Sequence, residues 1–198
     1  GTTVSRIFLN DTNGNFDQVN SIALPVSVYG VDNTLHLKTF SSDLDADGDM
    51  DILVLLSRYE PYYGGSYIQY LEQTEQNVFV DVTIEKLFNP IEFEDTFGSR
   101  LEWTNFWELI DIDDDGDDDL VGTSVKNQLP IVFVNDGSGN FVESNLTSSD
   151  IIGQPIAWGD YDKDGTIDFI TWQPTWNDSI GTSSSNNFYL YGFDGLIA

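Results

Sequence analysis

Three nine-residue windows of the sequence carry aspartates at positions 1, 3, 5 and 9 and a glycine at position 6. The windows run over residues 43–51, 111–119 and 160–168. Carboxylate oxygens on alternate residues of a tight turn can converge on one hard cation, and the glycine allows the sharp bend between ligands. The spacing therefore predicts three loops that bind Ca²⁺.

Position 7 differs among the windows, as expected where a backbone carbonyl rather than a side chain reaches the ion. The alternative is a set of solvated acidic turns, because Asp and Gly favour turns for local reasons. Three copies at one spacing favour the metal, since four like charges in nine residues repel one another without a counter-ion. The candidate metal ligands are Asp43, Asp45, Asp47, Asp49 and Asp51 in the first window, Asp111, Asp113, Asp115, Asp117 and Asp119 in the second, and Asp160, Asp162, Asp164, Thr166 and Asp168 in the third.

The residues around each window predict strands rather than helices. A helix-flanked calcium loop needs glutamate at position 12, and that position holds Val54, Gly122 and Thr171. Apolar and β-branched residues follow each window, and segments 35–40, 101–110 and 151–158 lead into them with a strand-like composition. We therefore expect each loop to connect two strands.

A second pattern recurs between the windows: an apolar strand, a polar turn and a strand that begins with Phe. It covers residues 7–16, 68–79 and 132–141 and begins again at 188–195, which is a repeat of about 60 residues. Each repeat would hold about four strands. We expect one all-β domain over 1–198, made of β-propeller blades of antiparallel strands, with units at 7–67, 68–130 and 131–187 and the start of a fourth at 188–198.

Two segments carry a family resemblance: residues 157–168, AWGDYDKDGTID, and residues 133–141, FVNDGSGNF. They resemble the FG-GAP/VCBS repeat of integrin α-subunit propellers and of many secreted proteins. The resemblance implies that the aspartate loops bind calcium on β-hairpins and that the units form a propeller. The hairpin at 72–77 lacks the usual glycines, and three units are fewer than the roughly four to eight blades of a closed ring. We expect a partial propeller, with a fragment of a larger ring favoured over a chain completed by self-association through its unpaired β edges.

Composition excludes several classes of partner. Thirty-four acidic and seven basic residues give a formal charge of −27, so the chain cannot neutralise the phosphates of nucleic acids or of anionic lipids. The absence of cysteine rules out disulfides and thiolate chemistry. Extracellular calcium modules commonly have dissociation constants of roughly 10⁻⁴ to 10⁻³ M. The sequence thus predicts a secreted or cell-surface protein with no nucleic-acid partner and no membrane insertion.

Two aromatic segments are candidate ligand-binding surfaces, because tyrosine and tryptophan clusters suit contact with glycans or proteins. Packing between blades is the favoured alternative for these rings. The residues concerned are Tyr59, Tyr62, Tyr63, Tyr67, Trp172 and Trp176.

The leading hypothesis is a calcium-binding propeller module for adhesion or for recognition of glycans or proteins, with structural calcium. The alternatives are a self-assembling subunit of an extracellular polymer and a non-catalytic part of a secreted polysaccharide-acting enzyme. The single histidine, His36, lies in an alternating stretch that predicts an outward strand position, and no nucleophile-elbow or phosphate-binding motif is present. We therefore do not expect catalysis.

Overall fold

The structure is a computed structural model that describes residues 4–58, 64–87, 104–124, 130–144, 154–177 and 182–191. Over these residues the chain forms β-strands and one short helix. The elements are β1 (Arg6–Asn10), β2 (Phe16–Ala23), β3 (Thr34–Ser42), β4 (Asp51–Arg58), β5 (Gly64–Glu75), β6 (Val78–Asp81), α1 (Thr83–Lys86), β7 (Thr104–Ile110), β8 (Asp119–Ser124), β9 (Pro130–Asn135), β10 (Phe141–Ser144), β11 (Gln154–Gly159), β12 (Asp168–Asn177) and β13 (Thr182–Tyr191).

The strands form antiparallel sheets in which neighbours along the chain are also neighbours in the sheet. Strands β1 and β2 form an N-terminal hairpin, β3 to β6 a first sheet, β7 to β10 a second sheet and β11 to β13 a third sheet. The predicted all-β architecture is confirmed, and the first and second sheets have the expected four strands. The segments predicted to lead into the aspartate windows are strands β3, β7 and β11 over their described residues.

The sheets do not begin where the predicted units begin. They run over residues 34–81, 104–144 and 154–191, about half a repeat after each unit start. The first two strands of each sheet lie within one predicted unit. Their partners β5, β9 and β13, which pair with β4, β8 and β12, extend across the boundary into the next unit.

Consecutive sheets pack face to face in chain order. Strand β4 illustrates the reason, because its run Ile52-Leu-Val-Leu-Leu56 is buried on both faces. Leu53 and Leu55 join a cluster with residues of the second sheet. Ile52, Val54 and Leu56 join a cluster with the N-terminal hairpin. A third cluster lies between the second and third sheets, so the core is divided into layers between successive sheets.

Helix α1 is a single turn that follows β6. Within the described part of the chain, no helix is both long enough and apolar enough to cross a membrane.

Candidate metal-binding loops

Each aspartate window forms the turn between the first two strands of a sheet. The windows connect β3 to β4, β7 to β8 and β11 to β12, and position 9 is the first residue of the second strand in each case. The predicted placement of the loops between strands is therefore confirmed.

The three loops share one backbone conformation. The residues at position 4 are Ala46, Asp114 and Lys163, with φ of 57°, 59° and 64°, and the glycines at position 6 have φ between 93° and 100°. Both positions lie in the left-handed region, which glycine adopts at no steric cost and other residues adopt rarely. The sequence identified the glycine requirement at position 6 but not the left-handed residue at position 4.

Hydrogen bonds within each loop turn the carboxylates inward. The position-1 carboxylate accepts the N–H of the position-6 glycine at 3.1, 3.0 and 3.2 Å in the three loops. The position-5 carboxylate accepts the N–H of position 7 at 2.8, 3.1 and 2.9 Å. These bonds fix positions 1 and 5 and leave further lone pairs on each carboxylate for other partners.

The carboxylates converge in all three loops. In each loop, one oxygen from each of three aspartates lies within 4.8 Å of the other two. The sets are Asp43, Asp45 and Asp47; Asp111, Asp113 and Asp115; and Asp160, Asp162 and Asp168. Oxygen donors at this separation suit a hard divalent cation such as Ca²⁺, whose ligands are carboxylates and carbonyls.

Asp113 provides a test of whether the second loop fits a cation. Its Oδ1 is buried and has no hydrogen-bond partner among the described residues. Burial, followed by the negative charges of Asp115 and Asp111, raises the pKa of this carboxyl. A buried carboxylate oxygen without a donor is costly, and a cation between the three aspartates would satisfy it. The residues present therefore fit a divalent metal ion.

The position-9 carboxylate also makes hydrogen bonds outside its own loop in the first two windows. Its Oδ2 accepts the N–H of position 2 at 3.2 Å for Asp51, 2.9 Å for Asp119 and 3.0 Å for Asp168. The Oδ1 atoms of Asp51 and Asp119 accept the backbone N–H of Gln73 and Asn135, at 2.9 and 2.7 Å. Oδ2 thus binds the loop backbone and Oδ1 binds the neighbouring hairpin, so each of these buried carboxylates joins the two.

Burial makes the position-9 carboxylates of the first two loops harder to ionise. Burial raises the pKa of Asp51 and raises the pKa of Asp119 to about 6, although N–H donors from Asn135 and Ile112 act in the opposite direction. Loss of hydration outweighs those bonds because it disfavours the charged form directly.

Asn135 joins the candidate loops, and the sequence patterns did not identify it. Its side-chain N–H₂ donates to the carbonyl of Leu44 in the first loop at 2.8 Å and to that of Asp118 in the second loop at 3.4 Å. Its Oδ1 accepts the N–H groups of Gly137 and Gly139 at 3.2 and 3.1 Å. This one buried side chain ties two candidate metal loops to the β9–β10 turn. The sequence does contain a signal for this residue, because an Asn-Asp turn occurs twice, at residues 10–15 and 135–140.

The aromatic candidates are not brought together as one surface over the described residues. Tyr67 is buried and makes an edge contact with Tyr29, with ring centroids 6.1 Å apart. Its position agrees with packing rather than with ligand contact. Trp172 is half-buried in β12. Tyr59, Tyr62 and Tyr63 and the side chain of Trp176 lie outside the described residues.

His36 lies in β3 and is exposed, as expected for an outward strand position. Its ring nitrogens are 3.1 and 3.3 Å from the hydroxyl of Ser5. Both residues line a cavity of about 270 Å³ between the N-terminal hairpin and the first sheet.

Comparison with known proteins agrees with the loop geometry. Residues 111–171 match a family model described as an FG-GAP-like repeat. Searches of curated proteins and of solved structures found no match. The matched stretch contains the second loop, the hairpin of Asn135 and the third loop. The resemblance seen in the sequence is thus confirmed over residues 111–171, which are similar to an FG-GAP-like repeat.

Proposed function

We propose that the protein is a calcium-binding module of the β-propeller type that acts outside the cell in adhesion or in recognition of glycans or proteins. The observation that carries the proposal is the convergence of three aspartates in each of three loops with the same backbone conformation. Calcium would supply a counter-charge for these carboxylates and would link folding to the metal.

The chain's own residues position the proposed sites. The position-6 N–H holds the position-1 carboxylate, and the position-9 carboxylate joins the loop to the next hairpin. A cation at the second loop would therefore stabilise the contact between the β7–β8 loop and the β9–β10 turn. We assign calcium a structural role, because the loops lie at sheet ends and are bound to neighbouring turns.

Two observations support the propeller-type and extracellular parts of the proposal. Consecutive antiparallel sheets pack in chain order, as blades do in a radial repeat. FG-GAP-like repeats are typical of extracellular proteins. We propose binding rather than catalysis as the activity, because the acidic clusters suit a metal ion.

Calcium titration by calorimetry tests the metal sites. We expect uptake of up to three ions and a rise in melting temperature with calcium, because an ion that binds only the folded state stabilises it. Asp113→Asn should weaken binding at one site by about tenfold or more. Asp114→Asn removes the same charge from position 4 of the same loop and should leave uptake unchanged. Absence of calcium heat in the unmodified protein would refute the proposal.

Recognition is tested separately on glycan and protein arrays in calcium and after calcium removal. We expect binding that depends on calcium, since the loops must be ordered to hold their sheets in place. Binding of equal strength after removal would contradict a structural role of calcium in recognition.

A further inference from the structure

The repeat allows the same position to be compared in all three sheets. The residue two places after position 9 of each window has an equivalent partner on the next strand. These pairs are Leu53 with Tyr70, Val121 with Val132, and Ile170 with Leu190. We call the face that bears each pair the forward face. In the first sheet it packs on the second sheet, and in the second sheet it packs on the third.

The forward face of the third sheet is exposed where its counterparts are buried. Leu190 is 57% exposed, whereas Tyr70 and Val132 are 0% exposed. Tyr161 at position 2 of the third window is 44% exposed, whereas its counterpart Leu44 is 1% exposed. Phe188 lies two residues before Leu190 on the same face and is also exposed. This is a cluster of large apolar side chains in a position that the other sheets cover.

The N-terminal hairpin has the complementary surface. By strand pairing and turn sequence, Phe16 of the hairpin corresponds to Phe141 of the second sheet, and both lie opposite the first Asn of the turn. Phe141 is 1% exposed and packs edge-on against Tyr70, with ring centroids 6.1 Å apart. Phe16 is 61% exposed, and Phe8, the counterpart of buried Phe133, is 47% exposed.

The turns match in their hydrogen bonds as well. Asn10 accepts the N–H groups of Thr12 and Gly14 at 2.9 and 3.0 Å, as Asn135 does in its own turn. In the second sheet the Asn135 amide also reaches the carbonyl of Leu44 in the preceding loop. Asn10 is exposed, and over the part of the chain that the structure describes its hydrogen bonds stay within its own turn.

We propose that the forward face of the third sheet in one molecule docks on the N-terminal hairpin of a second copy, head to tail. The two exposed surfaces are equivalent, by repeat position, to the two sides of the interface that joins the first and second sheets within one chain. Phe16 of one copy would pack on Leu190 of the other, as Phe141 packs on Tyr70. The Asn10 amide would donate to the Tyr161 carbonyl, as Asn135 donates to Leu44.

A head-to-tail contact is heterologous, so it either closes into a ring or continues as a filament. Repulsion between copies that each carry a formal charge of −27 opposes this association. Association should therefore strengthen with salt up to physiological ionic strength, where the screening length is about 8 Å.

Cross-linking tests the pairing directly, since the chain has no cysteine of its own. Phe16→Cys and Leu190→Cys are made in separate chains and treated with a short bismaleimide in calcium-containing buffer. We expect a cross-linked dimer only when the two variants are mixed. Ile84→Cys, at an exposed apolar residue of α1, replaces Phe16→Cys as the control and should give no dimer with Leu190→Cys.

The other outcomes overturn the proposal. A dimer from either variant alone indicates head-to-head or tail-to-tail contact. A cross-linked monomer from a chain that carries both cysteines, at high dilution, indicates that the two surfaces meet within one molecule. No product in the mixture indicates that the faces do not meet.

Sedimentation velocity gives an independent readout without labels. We expect the unmodified protein to show species larger than a monomer as concentration rises, and Leu190→Asp and Phe16→Asp each to lose them. Ile84→Asp adds the same charge elsewhere and should retain them. Both interface positions are exposed, so the variants should keep their circular dichroism and melting temperature. A strict monomer over the whole concentration range would overturn the proposal.

Discussion

At the scale of single residues, Asn135 holds more of the structure together than any one predicted ligand. Its side chain joins the first loop, the second loop and its own turn in a buried position. Buried polar groups that lose their partners cost about 1–3 kcal/mol each. Asn135 is therefore a place where one substitution disturbs two candidate metal sites together.

Replacement of Asn135 by Ala should lower the free energy of unfolding by about 2–4 kcal/mol, because it leaves the N–H groups of Gly137 and Gly139 and the carbonyl of Leu44 without this partner. Urea denaturation at fixed calcium measures the loss. Asn10→Ala removes the same two turn bonds at an exposed position and should cost about 1 kcal/mol or less. Equal losses in the two variants would show that the contact with the Leu44 carbonyl contributes nothing.

The aspartates show what residue spacing can and cannot predict. Convergence of positions 1, 3 and 5 follows from alternate side chains on a tight turn, and the first two loops show it. The anchoring role of Asp51 and Asp119 depends on N–H donors of residues 22 and 16 positions away. Local spacing contains no information about a partner on another hairpin. The anchoring role of these two aspartates could therefore not be predicted.

At the scale of elements, the close approach of β7 and β8 depends on a glycine. A Cβ on Gly122 would lie 2.5 to 2.8 Å from three atoms of the Trp107 ring. The ring is buried and stacks on Phe133 with centroids 6.1 Å apart. Trp107 therefore covers β8 at the one residue that has no side chain, which explains glycine within a strand.

Gly122→Ala should destabilise the protein by about 1–3 kcal/mol, because the indole must move within a packed core. Thermal and urea denaturation measure the change. Trp107→Phe removes part of the ring that the new methyl group meets. In the double variant the cost of Gly122→Ala should fall by about 1 kcal/mol. Additive losses would indicate that the strain lies in the backbone of β8 rather than in the contact with Trp107.

The strands themselves could be predicted because their signals are local. Alternating apolar residues and Asn, Asp and Gly turns predicted β3, β4 and the hairpins. The grouping of strands into sheets was harder to predict, since it depends on whether β4 pairs with β5 across a longer connection. The structure makes this pairing and so shifts the sheets by half a repeat relative to the predicted units.

At the scale of the whole molecule, the excess of acidic groups links stability to pH and to the proposed metal sites. Burial raises the pKa of Asp119 to about 6 from an ordinary value of 3.8, and raises the pKa of Asp51 in the same direction. Between pH 3.8 and about pH 6, the ordinary and the raised pKa of Asp119, the folded state binds more protons than the unfolded state. Stability of the calcium-free protein must then fall as pH rises through this window.

We expect the calcium-free protein to be less stable at about pH 7 than at about pH 5, and calcium to reverse this order, because the proposed calcium sites need ionised carboxylates. Urea denaturation at both pH values, with and without calcium, measures the four stabilities. Asp119→Asn should flatten the calcium-free dependence. Asp136→Asn should not, because the Asn140 side chain lowers the pKa of Asp136 and its stabilising effect is lost only below about pH 4. A calcium-free protein that gains stability towards neutral pH would refute the assignment of Asp119 as a buried carboxylate that needs a counter-charge.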